Sequence, residues 1–154
     1  MKLKDELLKI TRCFEHNQID YALCGGLALS VHGHPRFTRD IDLLIQDEDL
    51  ERARTSVAQI GYDLEAGLFR FHIGTDQETR LFRVSRADRA DVVTLDLLLV
   101  TPVLEEVWRD REAIDLDGNF LRLVSRAGLI KMKKIAGRAQ DLADIEALNR
   151  LENP

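Results

Sequence analysis

The residues with the clearest chemical potential sit between two apolar runs. Gly25-Gly26 follows Tyr21-Ala22-Leu23-Cys24, and Asp40-Ile41-Asp42 leads into Leu43-Leu44-Ile45. A glycine turn lets backbone come close to a phosphate. Two acids at i and i+2 of a strand share one face, about 6.5–7 Å apart along the chain. That spacing suits two carboxylates gripping a pair of divalent cations, which are hard ions that take oxygen ligands. The plainer account of Asp-x-Asp is a solvated strand face at a sheet edge.

A third acid stands alone in Val92-Val93-Thr94-Leu95-Asp96-Leu97-Leu98-Leu99-Val100. Buried and unpaired, a carboxylate in such a run is costly. Two resolutions are open. Asp96 pairs with an arginine, for which Arg70, Arg80 and Arg83 are candidates. Alternatively it stands beside Asp40 and Asp42 as a third ligand, and three carboxylates could then hold two Mg²⁺ ions about 3.5–4 Å apart, as in-line phosphoryl displacement requires. Asp91 is a weaker third ligand, because an acid at a strand's entry stays in water. Arg36 and Thr38, just before the acid pair, could reach a phosphate or nucleobase, or serve only in loop packing and turn capping. His32 and His34 have no partner of metal-ligand type and read as loop structure. Arg70, Arg80, Arg83, Arg86 and Arg89 bias the middle of the chain positive and could line a site for RNA or another anion, though paired surface arginines are the simpler account. Trp108 reads as packing, since it has no aromatic companions.

These residues need elements to position them. Leu3, Leu7, Ile10 and Phe14 repeat at three- and four-residue spacing, which predicts a helix over 2–17. Ile19–Cys24 predicts a strand feeding the glycine turn. Leu27–His32 predicts a short helix starting on the glycines, where free N–H groups would face an anion, and Gly33 and Pro35 end it. Arg39–Ile45 is the acid-bearing strand, followed by a helix over 48–60 capped by Asp47. Short strands are expected at Tyr62–Ala66, Phe69–Ile73, Thr79–Ser85 and Val92–Val100, with Gly67, Gly74-Thr75-Asp76 and Arg86-Ala87-Asp88 as turns. Pro102 opens a short helix over 103–109. Ile114–Leu116 and Phe120–Val124 form a hairpin around Asp117-Gly118. A helical segment over 125–151 closes the chain, and Gly137 divides it. Strands and helices do not alternate strictly, so the class is α+β with a mixed sheet.

The chain of 154 residues is of single-domain size, with a core over about 19–124 and the helical segment behind it. A net charge of −5 argues against a protein that coats nucleic acid nonspecifically. Cys13 and Cys24 lie in apolar surroundings and read as buried thiols. With no apolar run of spanning length and no leader-like start, a cytoplasmic location and no membrane contact are expected.

The Gly25-Gly26 pair, Asp40-Ile41-Asp42-Leu43 and Leu95-Asp96-Leu97 together resemble the signature of the DNA polymerase β-type nucleotidyltransferase superfamily. Val31–Asp42 and Leu129–Leu148 resemble its small bacterial branch, which includes abortive-infection (AbiE-like) toxin nucleotidyltransferases. The resemblance spans about residues 20–150. It implies a polymerase-β-like palm with the three acids on one concave surface and helices behind. It implies transfer of a nucleoside monophosphate from an NTP, ATP among the candidates, to a hydroxyl acceptor with pyrophosphate release. It implies two Mg²⁺ ions, or Mn²⁺ in their place, held by Asp40, Asp42 and Asp96. By the same resemblance Gly25 and Gly26 would admit the triphosphate, Lys133 would neutralise phosphate charge, and Asp141 would orient that lysine. The acceptor would be RNA, tRNA or a protein, and an antitoxin or a second copy would complete the short chain. A toxin of a toxin–antitoxin pair and a non-catalytic nucleotide-binding module are the alternatives. Relatives often carry serine where Gly26 stands, and proline where Ala139 stands.

Overall fold

The computed structural model of the chain describes residues 1–152, with Glu152 described in its backbone alone. Thirteen main elements follow one another along it. They are α1 (Leu3–His16), β1 (Ala22–Cys24), α2 (Gly25–Val31), β2 (Asp40–Ile45), α3 (Leu50–Ala58), β3 (Leu64–Phe71), β4 (Thr79–Asp88), β5 (Asp91–Leu99), α4 (Glu105–Arg109), β6 (Glu112–Leu116), β7 (Asn119–Leu123), α5 (Arg126–Ala136) and α6 (Ala139–Glu152). Single 3-10 turns, Asp47–Asp49 and Pro102–Leu104, lead into α3 and α4.

The strands form one mixed sheet in the order β3-β4-β5-β2-β1-β7-β6. The β2–β5 and β1–β7 pairs are parallel and the others antiparallel. This is the α+β class expected from the irregular order of strands and helices. Because strand side chains alternate, β2 and β5 each divide their residues between two faces. Ile41, Leu43, Ile45, Leu95, Leu97 and Leu99 go to one face and are almost wholly buried, in a single cluster with Ile10 and Phe14 of α1 and Val57 of α3. Each such leucine contributes roughly 1.5–3 kcal/mol by leaving water. The other face receives Asp40, Asp42 and Asp96.

Several boundaries differ from expectation: β1 is shorter (Ala22–Cys24), α2 takes in both glycines (Gly25–Val31), and α3 begins at Leu50 after a 3-10 turn, with no side-chain cap from Asp47. Two further differences have identifiable reasons. The strands expected at Tyr62–Ala66 and Phe69–Ile73 are one strand, β3, because Gly67 takes φ +106° in a bulge between Glu65 and Gly67 and does not turn the chain. β4 runs on through Arg86-Ala87-Asp88, and the reversal into β5 falls next at Arg89, φ +58°. The Asp117-Gly118 hairpin is as expected, with both residues at positive φ, as a two-residue type I′ turn needs. Gly137 does divide the last helical segment. It ends α5 in the left-handed conformation, φ +67°, and Ala139 begins α6.

Candidate active site

The acid face of the sheet and α5 enclose a cleft of about 610 Å³, lined by Asp40, Asp42, Asp96, Gly25, Gly26, Arg36, Thr38, Lys133 and Asp141. Register explains the convergence. Asp42 pairs with Asp96 across β2–β5, and Asp40 lies two residues before Asp42. Cys24 at the end of β1 pairs with Asp42 from the other side. The chain then turns at Gly25, φ +66°, where a Cβ would lie 2.1 Å from Asp42 Oδ2. Only glycine lets the backbone pass this close to the carboxylate. Gly26 is similarly tight against Thr38, whose Oγ1 would lie 2.9 Å from an added Cβ.

The acids carry more negative charge than their surroundings offset. Burial, then the charges of Asp96 and Asp40, push the Asp42 carboxyl up to about 7. Burial and Asp96 also raise Asp40. An oxygen-only donor set with uncompensated charge is what a divalent cation takes, so the residues fit the expected ions. No ready-made cage exists among the described residues. Asp96 is 3% exposed, not spread on an open surface as the concave-face expectation had it. Both its oxygens are held by Arg83, Nε to Oδ1 at 2.8 Å and Nη2 to Oδ2 at 2.9 Å. Of the two resolutions open for Asp96, the structure shows the arginine partner, and the strand register also sets Asp96 beside Asp42.

The opposite wall is cationic and held from behind. Lys133 of α5 is buried, and its Nζ donates to Asp144 Oδ2 at 2.7 Å. Arg36 reaches the same carboxylate with Nε and Nη2, at 3.1 and 2.9 Å, and Gln140 adds Nε2 at 2.9 Å. Burial alone would raise Asp144, but hydrogen bonds from Arg36, Lys133 and Gln140 outweigh it and hold the carboxyl below its ordinary value. Asp141 has a different first duty from the one the resemblance implied. It accepts from the Arg138 backbone N–H at 3.1 Å and from Arg138 Nε at 2.7 Å, the reach-back of a helix's third residue to its cap, while Lys133 Nζ is 3.7 Å away. Asp144 is the lysine's nearer partner and was missed. Its signal, an acid three residues after Asp141 on the same helical face, was present in the sequence. Arg36 is bound to Asp144 and not aimed alone at the cleft, and Thr38 packs against Gly26. His32 Nε2 sits 2.9 Å from the Val124 carbonyl, in the structural role expected of it. The lining also has apolar members, Phe69, Phe71, Leu98 and Met132, and His72 Nε2 lies 3.0 Å from the Ile135 carbonyl.

A mixed sheet with this acid row, entered through a glycine turn, has the fold of nucleotidyltransferases. The lincosamide antibiotic adenylyltransferase LnuA with lincomycin bound superposes with a TM-score of 0.64 at 16% identity, over 96% of each chain. ANT(2″)-Ia in complex with adenylyl-2″-tobramycin gives a TM-score of 0.62 at 14% identity, over 96% of this chain and 91% of that one. A nucleotidyltransferase-like antigenic protein from Paracoccidioides brasiliensis gives 0.56 at 19% identity, over 94% and 73%. At such identities the likeness is one of fold. The family is fixed by a family model that matches residues 7–153, described as nucleotidyl transferase AbiEii toxin, Type IV TA system. The chain belongs to the AbiEii nucleotidyltransferase family. No curated protein sequence matches it significantly. Among the described residues no helix is long and apolar enough to cross a membrane.

Proposed function

We propose that this chain transfers a nucleoside monophosphate from an NTP to a hydroxyl acceptor. The acceptor oxygen bonds to the α-phosphorus, the bond to the bridging oxygen breaks, pyrophosphate leaves, and the hydroxyl proton passes to a carboxylate or to water. The observation that carries the reading is the pairing of two walls: Asp40, Asp42 and Asp96 on neighbouring strands, and Lys133 across the cleft, anchored by Asp144. Divalent cations, Mg²⁺ or Mn²⁺, bound by the three acids would offset the charge that builds on the phosphates and lower the pKa of the acceptor hydroxyl. The chain's own residues do the rest. Gly25 and Gly26 let the backbone run close against Asp42 and Thr38 at the edge of the cleft, and Lys133 supplies a fixed positive charge whose side chain need not reorganise during reaction. Arg138, at the cleft's rim, adds a second cation.

Incubation with each α-³²P-labelled NTP and a cell extract tests this reading. Label should pass to RNA or protein with wild type and not with Asp40→Ala/Asp42→Ala. Label transfer that survives in the double variant removes the role given to those acids. A well-folded chain that binds no NTP in the presence of Mg²⁺ or Mn²⁺ would instead be a non-catalytic module.

Family membership favours a second, compatible reading: the chain is the toxin of a toxin–antitoxin pair, and its transfer reaction arrests growth. Expression should then slow growth, Asp42→Ala should relieve the arrest, and a neighbouring antitoxin should counter it. Growth unaffected by high expression counts against the toxin role and leaves the transferase reading standing.

A further inference from the structure

Arg83, Asp96 and Asp42 form a row across three strands. Arg83 of β4 pairs in register with Asp96 of β5, and Asp96 pairs with Asp42 of β2. One guanidinium fork engages both Asp96 oxygens, the strongest neutralising arrangement a single side chain offers a carboxylate. The other cleft-lining lysine and arginines face other acids: Lys133 and Arg36 bind Asp144, Arg138 binds Asp141, and Arg80 lies 3.6 Å from Asp47. Arg83 is thus the cation in direct contact with the acid row.

The two partners differ in freedom. Asp96 is nearly inaccessible, whereas the Arg83 side chain is 43% exposed and opens on the cleft. It can leave without disturbing the core. Its guanidinium carbon lies 5.7 Å from the centre of the Phe69 ring, whose face offers a second resting place.

We propose that Arg83 is the resident counter-ion of the acid row, holding Asp96 in the free chain and yielding it when a divalent cation and a triphosphate enter together. The proposal rests on the metal-dependent transferase reading above. A guanidinium and a divalent cation draw on the same carboxylate lone pairs, so they compete. A cation arriving alone has to displace Arg83 with nothing to receive it. A cation arriving with a triphosphate brings oxygens that the displaced guanidinium can bind. Cation and nucleotide therefore bind with positive coupling, and Arg83 is the positioning residue through which the coupling passes. The arrangement also keeps Asp96 from facing Asp42 as a bare charge while the cleft holds no substrate.

The test is Mn²⁺ binding to the full chain at pH 8, read by the electron paramagnetic resonance of the free ion. It is run without nucleotide and with the α,β-methylene analogues of ATP, GTP, CTP and UTP in turn. Wild type should bind Mn²⁺ weakly alone and at least tenfold more tightly with the analogue it accepts. Arg83→Met should bind Mn²⁺ alone roughly ten- to a hundred-fold more tightly than wild type, the range of a lost charge-assisted bond, and should lose most of the coupling. Asp96→Asn in the Arg83→Met background should abolish the gain. A structural lesion would weaken binding, so tightening is specific to the proposed role. If Arg83→Met binds Mn²⁺ no more tightly than wild type while wild type binds it with nucleotide, the proposal is overturned and the transferase reading survives. Should Arg83→Met not melt cooperatively, Arg83→Lys, which cannot fork onto both oxygens, decides by the same comparison. Wild type that binds no Mn²⁺ with or without any analogue overturns the metal reading and the proposal with it.

Discussion

Asp42 and Asp96 are direct register partners on the neighbouring parallel strands β2 and β5, and both carboxyls face the same cleft. The juxtaposition is unfavourable for the folded chain on its own. Burial, then the charges of Asp96 and Asp40, raise the Asp42 carboxyl to about 7 from an ordinary 3.8. Between these values the native chain keeps a proton that the unfolded chain has released. Stability from this group is therefore full below about pH 4 and is lost as the pH rises toward 7.

Asp42→Asn removes that penalty. At pH 8 the variant should be more stable than wild type by about 1–3 kcal/mol, or several degrees in melting temperature at about 2–4 °C per kcal/mol. At pH 4 the two should melt together. Thermal melts at both pH values check this, and an Asp42→Asn chain less stable than wild type at pH 8 would contradict the electrostatic account.

The Asp144–Lys133 pair behaves in the opposite sense. Both groups are buried, and the carboxylate also carries Arg36 and Gln140. Removing one member of a buried pair leaves the other uncompensated, at a cost of about 3–5 kcal/mol. Asp144→Ala should lower the melting temperature by about 10 °C at this chain length. Lys133→Met should recover part of that loss in the double variant, since the orphaned ammonium is gone. Transfer activity should fall in both single variants and not return in the double. Denaturant melts and label transfer, measured on the same four proteins, separate the two effects.

A third prediction concerns an anchor outside the cleft. Glu6 of α1 is buried and accepts from Tyr62 Oη at 2.7 Å and from Arg86 Nη1 at 2.7 and 2.8 Å. Burial pushes its carboxyl up, but hydrogen bonds from Tyr62, Arg86 and Lys9 outweigh it, so the net shift is downward. A lowered acid contributes stability above its unfolded value of 4.5, and that contribution is lost as the pH falls through the native value. Glu6→Gln should therefore destabilise the chain at pH 7 and close the gap to wild type in acid. Melts from pH 7 down to pH 3 test it. An unchanged gap across the range would mean that the charge on Glu6 contributes nothing.

Periodicity made most of this architecture readable in advance. Leu3, Leu7, Ile10 and Phe14 placed α1, the flanking apolar runs placed β2 and β5, and Asp117-Gly118 placed the last hairpin. The glycine pair and the three acids were visible as types and spacings because a strand of period two fixes which side chains share a face. What depended on pairing between distant elements was not visible. Gly67 reads as a turn until β4 is seen running beside it. Arg83 was one of three equal candidates for Asp96 until the β4–β5 register selected it. Asp144 gained its role from Arg36, 108 residues away, and from Lys133 on the preceding helix. Local propensity carries no information on such meetings.

The last prediction concerns Gly26, the second residue of the glycine turn. A Cβ there would lie 2.9 Å from Thr38 Oγ1 and 3.0 Å from Thr38 Cβ, closer than ordinary packing allows. Gly26 has a negative φ, so backbone strain is not the obstacle. The obstacle is the Thr38 side chain. Gly26→Ser alone should destabilise the chain by about 1–3 kcal/mol, the range for overpacking. With Thr38→Ala, which empties the contested space, most of that cost should disappear, giving a coupling of about 0.5–3 kcal/mol between the two positions. Gly25 contrasts with it: Gly25→Ala meets Asp42 itself at positive φ, and no substitution that keeps the carboxylate can relieve the clash. A double-mutant cycle by denaturant melts on Gly26→Ser and Thr38→Ala measures the coupling. Strict additivity would mean that Thr38 is not what restricts position 26.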